Sequence, residues 1–174
     1  MTQAASSHSD STAFVAVQKL TKRFGSVVAV NNVDLTLSRG ETLAIIGPSA
    51  AGKSVLMKCL VGIYGADEGA IYLDQDDVSD TNAPERPKWA AKIGMLFQQN
   101  ALFDSLTVWE NICFRQIELG TLSRKAAKER AVELLGLVGL AQESAELTPS
   151  DLSGGMQKRV GIARAISSDP ELLL

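Results

Sequence analysis

The stretch Gly47-Pro48-Ser49-Ala50-Ala51-Gly52-Lys53-Ser54-Val55 joins glycines, a lysine and a hydroxyl in the spacing G-x-x-x-x-G-K-[ST]. Residue types in this order suit a polyphosphate. Backbone N–H groups of a glycine-rich turn wrap the anion, and the N-terminus of a following helix adds its dipole. Lys53 would reach the β- and γ-phosphates, and the Ser54 hydroxyl would hold Mg²⁺. The flanks decide whether the match means anything. An apolar run, Thr42-Leu43-Ala44-Ile45-Ile46, precedes the loop and predicts a strand. Val55-Leu56-Met57-Lys58-Cys59-Leu60-Val61 follows it and predicts a helix. Without a ligand the same residues are only a glycine-rich turn.

Bulk composition limits the setting. The chain has 174 residues, 45% hydrophobic and 21% charged, with a net charge of −3. That is enough for one domain with a core, and the acidic balance argues against nucleic acid as the main partner. Two cysteines, Cys59 and Cys113, stand far apart without metal-ligand spacing and read as buried small apolar residues. No apolar run approaches a membrane span, and the N-terminus lacks the basic start and apolar core of a signal peptide.

Around the loop the chain is β-rich, then helical. Residues 1–12 are small and polar and predict a disordered tail holding His8, the only histidine. Phe14–Gln18, Val27–Val30, Val33–Leu37 and Gly69–Asp74 predict short strands. Lys22–Gly25 and Ser38–Glu41 read as turns, and Asn31-Asn32 as a turn or bulge. Pro84–Ala91 predicts a short helix and Ile93–Phe97 a strand ending at Gln98. Thr107, with Glu110 three residues on, predicts a capped helix start. Ser123–Val138 carries apolar Ala127, Ala131, Leu134, Leu135 and Val138 at helical spacing, with Gly139 closing it. Asp151–Gly155 predicts a turn, Met156–Ser167 a helix ended by Asp169-Pro170, and Glu171–Leu174 a buried strand.

Leu152-Ser153-Gly154-Gly155-Met156 is the second constellation: a serine and two glycines at the head of a helix. Their N–H groups, the Ser153 hydroxyl and the dipole can meet an anion. Alone, this is equally a capped helix start. Placed after a phosphate loop, and with Gln98 between, the order resembles the ATP-binding subunit of an ABC transporter over nearly all of Phe14 to Leu174. The resemblance implies an α/β P-loop NTPase fold with an antiparallel β subdomain, a RecA-like core and an α-helical signature subdomain at about 100–167, all within one nucleotide-binding domain, 13–174. It implies ATP and Mg²⁺ as cofactors, with Phe24 stacking on adenine and Gln98 a Mg²⁺ ligand with a catalytic role beside Lys53. It implies that Ser153, Gly154, Gly155 and Met156 act on ATP held by a second ATPase subunit in a sandwich dimer. Further partners would be membrane permease subunits, with room for a periplasmic substrate-binding partner and none for nucleic acid. The place implied is the cytoplasmic face of the inner membrane, held peripherally.

Three departures shape the expectation. Ala50 stands where many such loops carry glycine; at positive φ its methyl costs roughly 1 kcal/mol. Met156 replaces the commoner glutamine. LSGGM, with Met95-Leu96-Phe97-Gln98 and the run Ala101–Val108, is similar to the phospholipid-trafficking or toluene-tolerance branch (Mla-type), which implies a phospholipid or another hydrophobic substrate. The alternatives are a polar amino-acid importer ATPase, an ABC protein acting on ribosome or DNA, and a nucleotide-binding remnant without turnover. Last, the Mg²⁺ aspartate and the water-polarising glutamate that the resemblance places after Leu172-Leu173-Leu174 are not among these residues. Asp169 and Glu171 precede that run, and His8 cannot serve as a switch histidine. The sequence therefore reads as cut before the Walker B acids, lacking the C-terminal part of its core, and inactive in turnover as given, although its parent is an ABC-type ATPase.

Overall fold

A computed structural model describes residues 13–98 and 101–174. The expected tail, 1–12, lies outside the described residues. The described chain forms two compact units, 13–90 and 91–174.

The first unit is built on an antiparallel sheet with strand order β2-β1-β3-β4. These strands are Ala13–Phe24 (β1), Val27–Ser38 (β2), Glu68–Leu73 (β3) and Asp76–Asp77 (β4). Phe14, Val15, Val17, Leu20, Ile71 and Leu73 bury the inner face. Two sequence expectations are corrected here. The turn expected at Lys22–Gly25 is strand as far as Phe24, and only Gly25-Ser26 turns, with Phe24 paired to Val27. Val27–Val30 and Val33–Leu37 are not two strands but one, because Asn31-Asn32 makes an irregularity in the register rather than a break. Lys19 on β1 and Asn32 on β2 both take positive φ (50° each) where the register shifts. The displaced amides find side-chain acceptors: Asn32 N–H donates to Thr21 Oγ1 at 3.0 Å and Lys19 N–H to Asp34 Oδ1 at 2.9 Å. A bulge whose polar groups are satisfied costs the sheet little. The hairpin from β3 to β4 was not expected. Its turn, Asp74-Gln75, has both residues at positive φ without a glycine to announce it.

The expected strand Thr42–Ile46 takes no place in a sheet among the described residues. Ile46 is 90% exposed. An apolar run of this kind becomes a strand only with a neighbouring ladder to take its N–H and C=O groups, and neither described sheet supplies one. The loop and helix after it do form: α1 is Lys53–Leu60, burying Leu56, Cys59 and Leu60.

The second unit is helical. Val108–Glu118 (α3), Arg124–Leu137 (α4) and Gly154–Ala165 (α5) enclose one core. A short helix, Arg86–Ala91 (α2), leads into the unit. Val108, Ile112, Cys113, Ala127, Ala131, Leu134, Leu135, Val160 and Ala163 lie fully inside. The helical spacing in Ser123–Val138 named four of these, and Ser123 caps α4 by accepting from Ala126 N–H at 3.2 Å. Glu110 Oε2 accepts from Thr107 N–H at 3.0 Å and from its hydroxyl at 2.8 Å, as its spacing predicts. That N–H first, then the hydroxyl and Arg124, hold the Glu110 carboxyl below its ordinary value against the cost of burial. Ile93–Gly94 (β5) pairs in parallel with Leu172–Leu173 (β6), so the final apolar run is strand, though both strands are shorter than expected. Burial pushes the Cys113 thiol up to about 11 and raises Cys59, which fits inert structural cysteines.

Candidate functional site

The phosphate loop is an open turn at the head of α1. Residues 46–51 are exposed, while Gly52 and Lys53 are half-buried and Ser54 is exposed. Gly47 has room around its Cα, since an added Cβ would approach Ala51 Cβ at 3.6 Å and Lys53 Cδ at 3.9 Å. Lys53 folds back across the turn. Its ammonium donates to the carbonyls of Gly47 at 2.7 Å and Pro48 at 2.6 Å. Ala51 N–H closes on Pro48 O at 3.4 Å and Leu56 N–H on Gly52 O at 2.9 Å. The N-cap is Gly52, which offers no side-chain acceptor to the first amides of α1. Those amides have no intrahelical acceptor either.

Gly52 does more than permit a turn. Its φ is 84°, and a Cβ there would stand 2.0 Å from the backbone oxygen of Ala29 on β2. Glycine is thus what lets the loop press against the hairpin that carries Phe24. Ala50 sits at φ 62°, so the methyl is in the left-handed region that the sequence made conditional. Val55 is half-buried on α1.

This geometry fits a polyphosphate with Mg²⁺. A cation is already enclosed by the turn, the helix amides beside it lack an acceptor, and the Ser54 hydroxyl is a hard oxygen donor of the kind Mg²⁺ takes alongside phosphate and water. Among the described residues no group of three or more His, Cys, Asp or Glu could hold a metal ion by itself.

Phe24 ends β1 and is 42% exposed. Its ring meets Tyr64 edge-on, with centroids 5.1 Å apart and planes at 75°. Sequence reasoning passed over Tyr64, which no motif marks and which only the tertiary fold brings beside Phe24.

The remaining expected residues belong to the second unit. Gln98 is exposed in the turn after β5. The segment 103–107 is anchored by Asn111, also unforeseen. Asn111 is fully buried; its Oδ1 accepts from Phe103 N–H at 2.7 Å, and its Nδ2 donates to the carbonyls of Phe103, Leu106 and Thr107 at 3.0 to 3.1 Å. Ser153 is the N-cap of α5, and its hydroxyl oxygen accepts from Met156 N–H at 3.3 Å. Asp151 stabilises the 3₁₀ turn just before it by accepting from Thr148 N–H at 2.9 Å. Gly154 and Gly155 are exposed, have no positive φ, and meet almost nothing of their own chain. Two glycines in a first helical turn cost roughly 1 kcal/mol each against alanine. Their internal surroundings do not require that cost. Met156 packs inward against the helical core, so its side chain serves the scaffold under the turn. Arg159 Nη1 donates to the carbonyls of Val138 and Gly139 at 3.2 and 3.0 Å, which ties α5 to the end of α4.

Together the fold and the loop define a P-loop NTPase of the cassette type. The chain belongs to the ABC transporter family, whose description matches residues 30–174. It is 42% identical over 176 residues to the methionine import ATP-binding protein MetN of Rhizobium johnstonii, covering 99% of this chain and 48% of that protein. It is 39% identical over 160 residues to the glutamine transport ATP-binding protein GlnQ of Escherichia coli, covering 92% and 66%. The probable ribonucleotide transport ATP-binding protein mkl of Mycobacterium tuberculosis is 37% identical over 160 residues, covering 92% and 44%. The chain spans about half the length of the curated relatives it matches first. Among solved structures, the dimeric bacterial ABC transporter cassette MJ0796 superposes with a TM-score of 0.83 at 33% identity, covering 91% of this chain and 72% of that one. A post-hydrolysis state of the same cassette, bound to ADP and Pi, gives 0.82 at 34%. Among the described residues no helix is long and apolar enough to cross a membrane.

Proposed function

We propose that this chain is the nucleotide-gripping part of an ABC transporter ATPase, with 13–174 as its nucleotide-binding domain and about 100–167 as the helical subdomain. The observation that carries the reading is Lys53, whose ammonium is held by the Gly47 and Pro48 carbonyls at the uncapped head of α1. When ATP is bound, Lys53 exchanges those two neutral acceptors for the β- and γ-phosphates, a stronger charge-assisted pairing. The backbone N–H groups of Gly47 and residues 49–55 line the same anion, with Pro48 shaping the turn, the Ser54 hydroxyl and Gln98 side chain supply oxygen to Mg²⁺, and Phe24 stacks on adenine. The Mg²⁺ ion supplies charge neutralisation on the phosphates.

Ser153, Gly154 and Gly155 face the ATP of a second ATPase subunit. The bare glycine pair supports this, because it leaves space that this chain does not fill. Ser153 uses its oxygen as a cap and keeps its hydroxyl proton for a phosphate. Closing and reopening such a dimer would drive permease subunits, which makes transport a matter of two global states biased by ATP. Turnover belongs to the whole ATPase, held at the cytoplasmic membrane face by its permease.

For the cargo, the relatives named for methionine import and glutamine transport favour an amino acid, and a periplasmic substrate-binding partner would go with that reading. The phospholipid reading keeps only LSGGM and the runs Met95–Gln98 and Ala101–Val108 in its support. Calorimetric titration of the full chain with Mg-ATP tests the core reading. Lys53→Ala should weaken binding roughly 10- to 100-fold, the worth of hydrogen bonds to a charged group. Equal affinity of the variant and the parent chain, or no binding by the parent chain, would refute it.

A further inference from the structure

The segment that leaves α1 builds a corner that the phosphate loop alone does not explain. After Leu60 the helix closes with Ile63 N–H and Tyr64 N–H both reaching Lys58 O, at 2.8 and 3.2 Å. The chain is then pinned to the end of β1. Asp67 accepts from Lys22 Nζ at 2.9 Å and from Arg23 N–H at 2.5 Å, and Asp67 N–H donates to Thr21 O at 3.0 Å. The Arg23 N–H first, then Lys22, hold the Asp67 carboxyl below its usual value. Between these two anchors stands Tyr64, edge-on to Phe24. Lys22 Nζ lies 5.6 Å from the Phe24 centroid and Lys58 Nζ 5.5 Å from that of Tyr64.

An exposed phenylalanine at a hairpin end would ordinarily sample several rotamers. A ring that stacks on a base has to be held at one tilt before the base arrives, or binding must supply the ordering. The two ends of one helical segment meet the hairpin that carries Phe24. At the N-terminal side, Gly52 presses the loop on Ala29 of the same hairpin. At the C-terminal side, Tyr64 meets the ring itself.

We infer that Tyr64 is a positioning residue for purine recognition, fixing the Phe24 ring so that the base platform and the phosphate loop are set by one helix. The inference rests on the reading of Phe24 as the adenine platform. Its ligand is the base half of a purine nucleoside triphosphate, so the phosphates alone should be blind to it.

The test titrates the full chain with Mg-ATP and with Mg-tripolyphosphate. Tyr64→Ala should weaken Mg-ATP about three- to tenfold, the range of an edge-to-face aromatic pair, and leave tripolyphosphate unchanged. Tyr64→Phe should restore ATP affinity, since the ring and not the hydroxyl is used. Adding Tyr64→Ala to Phe24→Ala should cost nothing further, because the first residue acts through the second. The inference fails if Tyr64→Ala leaves ATP binding intact while Phe24→Ala weakens it, or if Tyr64→Ala weakens both ligands equally. If Phe24→Ala itself leaves ATP affinity unchanged, the base platform is wrong and the inference falls with it.

Discussion

Two helix heads in this chain carry the glycine-rich loop and the serine-glycine turn, and they are built differently. α1 begins at Gly52 with no side-chain cap, and the run before it, 41–50, is largely exposed and unpaired in a sheet. α5 begins at Ser153, whose hydroxyl already serves Met156 N–H, and behind it Val160 and Ala163 are fully buried. The first head has no side-chain acceptor and stands on a thin support. The second has one, for Met156 N–H, and stands on a dense core. An anion therefore has more to gain at α1, where helix amides have no acceptor of their own. At α5 it meets a prebuilt surface that gains little until a partner's phosphate is brought to it. That difference is the one the proposed primary grip at α1 and completing contact at α5 would draw on.

The largest effect should come from the dense side. Leu134→Ala empties a fully buried site in the helical core and should cost about 3–5 kcal/mol in urea unfolding, whereas Leu56→Ala under α1 should cost less. Equal costs would erase the contrast between the two supports. Gly52→Ala comes next, since its Cβ would strike the Ala29 oxygen and its φ is positive. We expect about 2–3 kcal/mol of destabilisation and loss of Mg-ATP binding, read by unfolding and calorimetry. Retained binding would show that the loop does not depend on the hairpin.

The helical unit should also carry an acid sensitivity of its own. The folded Glu110 carboxyl titrates below its unfolded value of about 4.3, so its contribution is present above that pH and lost as pH falls through the folded value. Comparing urea midpoints at about pH 7 and pH 3.5, Glu110→Gln should show a smaller fall than the parent chain; an identical fall would remove Glu110 from the account. The smallest effect is a gain. Ala50→Gly relieves a left-handed alanine and should stabilise the loop or tighten Mg-ATP by about 1 kcal/mol, near fivefold in affinity.

How much of this was legible beforehand varied with how local the cause was. The capping pair Thr107–Glu110 follows from residues three apart, and the structure has it; the Ser123 cap on Ala126 N–H is equally local but was not singled out. The helical core followed from spacing in Ser123–Val138. The merged strand β2 did not, because whether Asn31-Asn32 bends or breaks depends on Thr21 and Asp34 across the sheet. Thr42–Ile46 reads as strand by composition, yet a strand is a relation to a neighbour that no single segment contains.

The sequence by itself determined the phosphate loop, the serine-glycine turn and their order, because each depends on backbone freedom and helix heads encoded within a few residues. Tertiary structure alone decided that Lys53 closes on the Gly47 and Pro48 carbonyls, that Gly52 must be bare against Ala29, and that Tyr64 stands edge-on to Phe24. The last two join residues far apart in the chain, and the first depends on how the turn folds back on itself. Their cause is steric and electrostatic contact across the fold, which sequence spacing does not carry.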